Sequence, residues 1–132
     1  MTTTHTATTP GAYFADRSSS LQVVEFVAAF VLGAICGALL MWSGVAYLIA
    51  ALICFVLGFP IGSQHRTLGG ALVRAAAEAS VWALGVLTVV HLVGGEPATA
   101  LPSPEWTYLL YAIVPTCVAA AISWTIGRRR RA

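Results

Sequence analysis

Three ionisable side chains, Glu25, Arg74 and Glu78, stand inside long runs of Val, Ala, Leu, Ile and Phe. A charge within a lipid-spanning segment is costly. Such residues face protein or a water-filled space, where they form ion pairs or line ion and proton paths. Arg74 and Glu78 are at i and i+4, so a helix places them on one face, one turn apart. Gln22 lies one turn before Glu25 in the same manner. The residue types therefore predict a polar cluster of Gln22, Glu25, Arg74 and Glu78. Two chemistries fit it. The first is an ion pair between helices, with Arg74 also reaching toward lipid headgroups. The second is a proton or cation site, because a carboxylate taken out of water can exchange a proton near neutral pH. One Arg does not neutralise two carboxylates, which keeps the second open.

Other residues that could do chemistry give less. No pattern fits a nucleophile beside its base, a phosphate loop, a haem pair or a zinc motif. Ser20, Ser43, Ser80 and Ser123 have no His in reach. The expectation is a protein that is not an enzyme and holds no cofactor and no metal. Cys36, Cys54 and Cys117 are odd in number, widely spaced and apolar in setting, which suits packing residues rather than disulfides or zinc ligands. His91 has no second His or Cys at ligand spacing and reads as an interfacial residue. Arg128, Arg129, Arg130 and Arg131 lack the aromatic platform and folded basic surface that nucleic acid requires. They suit anionic headgroups, at about 1 kcal/mol for each Arg near the surface.

The elements that must position the cluster follow from composition. The chain has 132 residues, 58% apolar and only 9% charged, against about a quarter charged in soluble domains. Mean hydropathy is +0.84. Lipid must therefore replace water over much of the surface, and the bilayer is the first partner. Val23 to Gly62 is one apolar run, with Glu25 and Ser43 its polar groups. A single helix of that length reaches ~60 Å, twice the ~30 Å hydrocarbon core, so the run must fold back. Met41-Trp42-Ser43-Gly44 is the best turn, with Gly44 free to take positive φ. The expected fold is an all-α, four-helix integral membrane bundle with spans at about 21–42, 45–62, 71–93 and 105–126. Residues 1–20 read as a flexible polar tail, 21–127 as the membrane domain and 128–132 as a basic tail after Gly127. Ser63 to Gly70 reads as a polar loop.

Orientation follows from the arginines. Arg17, Arg66, Arg74 and Arg128 to Arg131 flank the spans on one side; the turn at Ser43 and the Pro-rich segment with Glu96 and Glu105 carry none. The positive-inside rule puts both termini in the cytoplasm, in the plasma (inner) membrane of a prokaryote. Glu25 then lies about 6 Å into span one and Glu78 about 10 Å into span three, so the two carboxylates share a depth. Gly33 and Gly37 form a G-x-x-x-G, and Ala71, Ala75 and Ala79 a small-residue stripe, both of which admit close helix approach within the bundle or between copies. Pro115 predicts a kink in span four.

Glu25 early in span one, Phe59-Pro60 ending a short second span, the basic loop His65-Arg66, and Arg74-x-x-x-Glu78 opening span three together resemble the YrdB-like group of small bacterial four-span proteins. The resemblance covers about residues 21–94 and implies the four-span fold. The first functional expectation is a non-enzymatic module that associates with itself or with a larger membrane complex. The alternative is a small proton- or cation-coupled transporter or channel subunit using Glu25 and Glu78. A third is a holin-like pore former.

Overall fold

The computed structural model describes residues 13, 14 and 17–131. Most of the proposed N-terminal tail, and Ala132, lie outside the described residues. Four helices, all long and apolar enough to cross a membrane, account for nearly everything else. They are α1 (Ser19–Trp42), α2 (Gly44–Gly58), α3 (Leu68–Val93) and α4 (Thr107–Arg131), with a 3-10 turn, Phe59–Gln64, continuing α2. A helix stands at each of the four expected positions, with ends that shift for identifiable reasons.

The fold-back after α1 needs no left-handed glycine. Ser43 is extended, with φ −156° and ψ 121°. Its amide closes α1 on the Leu39 carbonyl at 2.7 Å, and its hydroxyl accepts from the Ala46 amide at 3.4 Å to open α2. One residue thus caps both helices. Gly44 is the first residue of α2, and its lack of a side chain matters because a Cβ there would collide with the Thr99 side chain.

Helix α3 begins earlier than the polar-loop reading of Ser63 to Gly70 expects. Thr67 is its N-cap and accepts from the Gly70 amide at 3.1 Å, so Gly69 and Gly70 are helical. Gly94, at φ 70°, ends it. Gly127 does not end α4, which runs on to Arg131. One glycine costs a helix only about 1 kcal/mol against alanine, and basic residues favour a helix C-terminus.

The core is narrow and rich in small residues, with Leu40, Val86, Val90 and Tyr108 its larger members. Gly33 and Gly37 face α3: a Cβ on Gly33 would strike the Trp82 carbonyl, and one on Gly37 would crowd Val86. Gly85 does the reverse, sitting against the Phe30 carbonyl. Ala71, Ala75, Ala79 and Ala83 are buried along α3, with Ala119 and Ala120 on α4. For helices apolar enough to cross a membrane, close packing of this kind supplies the attraction that water supplies in soluble bundles.

Helix α2 differs from the rest. It packs along α1, and none of its residues is buried. Two features fasten its ends. The 3-10 turn lays Gly62 on the Ala120 carbonyl of α4. At the other end the Tyr47 and Tyr108 hydroxyls meet at 2.6 Å, and Tyr108 stacks on Trp82 with centroids 6.2 Å apart. Between these two fastenings the bundle is not filled.

Candidate functional site

The predicted cluster assembles at the end of the bundle that carries Arg17, Arg66 and Arg74. Helix α3 holds Arg74 and Glu78 one turn apart, and they pair. The tight α1–α3 contact brings Glu25 to the same guanidinium: Arg74 Nη2 donates to Glu25 Oε2 at 2.6 Å. Arg74 is 5% exposed, Glu78 13% and Glu25 31%, so the cluster grades from buried to partly exposed. Glu25 lies six residues into α1 and Glu78 ten residues into α3, or about 9 and 15 Å along the helices, farther than the sequence predicts because both helices begin earlier than expected.

Four contributors are not legible in the sequence. Arg17, just before α1, pairs with the second oxygen of Glu25. The cluster therefore holds two arginines and two glutamates and is formally balanced, where the sequence predicts an excess of carboxylate. Phe14 and Phe26 stack against Arg74, their ring centres 3.7 and 4.5 Å from its Cζ. These faces partly compensate Arg74 Nε and Nη1, which have no acceptor among the described residues. The fourth is His65, whose ring lies 5.7 Å from that of Phe14. Burial holds its pKa below the ordinary value, and the positive charges of Arg74 and Arg17 press it the same way.

Gln22 serves differently from expectation. Its amide nitrogen donates to the carbonyls of Phe14, at 3.3 Å, and Arg17, at 3.1 Å. It fastens the segment before α1 rather than joining the charges. Phe14 and Arg17 thus lie against this end of the bundle, and Arg17 meets Glu25.

Above the cluster lies a cavity of about 430 Å³, partly open to the outside and lined by all four helices. Arg17, Glu25, Arg74 and Glu78 form its charged end. Leu32, Phe55, Trp82, Tyr111 and Pro115 are among its apolar walls. On α3 the lining runs from Arg74 to Trp82, about 12 Å of helix. The cavity is the space left where α2, fastened at its two ends, stands away from α3 and α4. Pro115 and Tyr111 both face it. Proline at 115 has no amide to give the carbonyl four residues back, so a backbone acceptor is released at this wall.

The remaining predicted residues are accounted for simply. Gly33, Gly37, Ala71, Ala75 and Ala79 are consumed in packing within the chain. Cys36 and Cys54 approach to 3.9 Å between sulfurs without bonding. No group of three or more His, Cys, Asp or Glu that could hold a metal occurs among the described residues. His91 meets Glu105 at 2.9 Å across the loop joining α3 and α4, both exposed. Arg128 lies over Trp124, 5.4 Å from the ring centre; the side chain of Arg131 lies outside the described residues. Comparison with family models, curated proteins and solved structures finds no match to this chain.

Proposed function

We propose that this chain is a small, non-enzymatic, multi-pass protein of a prokaryotic plasma membrane that handles protons or cations at Glu25 and Glu78, as a transporter or channel subunit. One observation carries the reading: a cavity of about 430 Å³ between spanning helices ends on two carboxylates. A structural ion pair needs no such space beside it. With Arg17 in place the cluster is neutral; the three charges borne by the helices, Glu25, Arg74 and Glu78, sum to −1 and favour a cation only where Arg17 is withdrawn. The arginine end is cytoplasmic by the positive-inside rule, so the carboxylates are approached from the cytoplasmic leaflet. Proton or cation flux in liposomes, with Glu25→Gln and Glu78→Gln, tests the reading: either substitution abolishes flux if these groups carry it.

A second reading, an accessory module that joins itself or a larger membrane protein, has its own support in α2. That helix has no buried residue, and Val45, Leu48, Leu52 and Val56 are each more than half exposed. The glycine and alanine faces that would most readily serve association are already spent inside the bundle, which weighs against it. Native mass of the protein in nanodiscs tests this reading. The kinship to the YrdB-like group is part of the proposal and rests on the motifs from Glu25 to Glu78.

A further inference from the structure

We propose that the cavity takes a lipophilic organic cation, and that Arg17 is the internal stand-in that such a ligand displaces. The inference rests on the cation-handling reading and names its substrate class.

The charges differ in how they are held. Glu25, Arg74 and Glu78 belong to spanning helices, locked by the α1–α3 contact. Arg17 belongs to no helix and is 23% exposed. It is held to Glu25, by the Gln22 bond to its carbonyl, and by its own amide, which donates to the Phe14 carbonyl at 3.1 Å. It can leave without disturbing a span. Its departure exposes a site with a net charge of −1 in low-dielectric surroundings, which only a proton or another cation can balance.

The space beyond Glu25 selects among cations. A small ion would need oxygen ligands all round, and the walls here are chiefly carbon. About 430 Å³ lies within the range of small-molecule pockets and far above the ~30 Å³ share of one water. Phe55, Trp82 and Tyr111 supply aromatic surface, which attracts organic cations through the ring quadrupole. A ligand with its positive centre at Glu25 and its apolar body along Leu32 and Pro115 matches charge to charge and hydrocarbon to hydrocarbon. Arg17 already places a delocalised, weakly hydrated cation on the same carboxylate.

The test is binding of radiolabelled tetraphenylphosphonium to the full chain in nanodiscs of zwitterionic lipid, with empty nanodiscs as the blank. Arg17→Gln removes the competitor and raises affinity about tenfold, the worth of one released ion pair. Arg17→Lys keeps the competitor and binds as wild type does. Adding Glu25→Gln to Arg17→Gln returns binding to the blank. Equal binding by Arg17→Gln and wild type overturns the inference, as does binding that survives Glu25→Gln. Proton and sodium flux on the same preparations separates the two levels. Glu25-dependent flux without tetraphenylphosphonium binding removes the lipophilic substrate and leaves the cation-handling reading standing. Loss of both removes both.

Discussion

Arg74 and Glu25, 49 residues apart in the chain, meet through a 2.6 Å hydrogen bond between Nη2 and Oε2. The bond joins α3 to α1 at the depth where the cavity begins. Arg74 also pairs with Glu78 and is itself almost fully buried, so one guanidinium holds two carboxylates of the four-helix bundle.

Removing that guanidinium therefore leaves uncompensated charge. Arg74→Gln lowers stability by about 3–5 kcal/mol, the usual cost of breaking a buried pair. Adding Glu78→Gln removes one orphaned carboxylate and recovers part of the loss. Unfolding titrations in mixed micelles measure both. Additive losses in the double variant would show that the two residues do not interact.

The α1–α3 seam makes a second prediction. Gly33→Ala places a methyl against the Trp82 carbonyl, so the helices must separate. A loss of about 1–3 kcal/mol follows, as for other overpacked sites. Gly69 is the contrast, because nothing lies within 4 Å of its would-be Cβ. Gly69→Ala stabilises α3 by about 0.5–1 kcal/mol through helix propensity. The same unfolding titrations compare the pair, and equal effects would contradict the seam.

His65 gives the pH dependence. Its folded pKa lies below the ordinary 6.5 because burial, then Arg74 and Arg17, disfavour the imidazolium. For a base with a depressed pKa, the unfolded state binds the proton more readily. The penalty is absent above about pH 6.5 and grows as pH falls toward the folded value. Folding stability therefore falls in mild acid. NMR titration of the His65 ring should report a midpoint below 6.5, and Arg17→Gln should move it upward. A midpoint above that value would contradict the burial.

Topology is tested separately. Green fluorescent protein fused after Ala132 should fluoresce, and alkaline phosphatase inserted between Gly95 and Pro102 should be active. The opposite pattern would invert the positive-inside assignment and turn Glu25 and Glu78 to the other leaflet.

Much of this arrangement is legible in the sequence. The span count follows from a run too long for one crossing, and the Arg74–Glu78 pairing from helical spacing. The nearness of Glu25 to the Arg74–Glu78 pair follows from two helices that run in the same direction. What escapes is contact made by residues outside any period. Arg17 and Phe14 precede α1 and have no repeat to betray them, and Phe26 reads as one more apolar residue. The cavity escapes too, because α2 is as apolar as its neighbours; only its lack of packing partners, a tertiary fact, sets it apart. Gly44 and Gly127 look like turn residues, yet one serves close approach and the other is absorbed by a helix with basic residues at its end.

The most direct test is flux through the purified protein in liposomes, for wild type, Glu25→Gln and Glu78→Gln, under an imposed proton or cation gradient. Flux above protein-free liposomes in the wild type, abolished in each variant while the variants remain folded by circular dichroism, is the predicted result. Flux absent from the wild type, or unchanged in both variants, would contradict the role proposed for the two carboxylates and leave them as structural partners of Arg74.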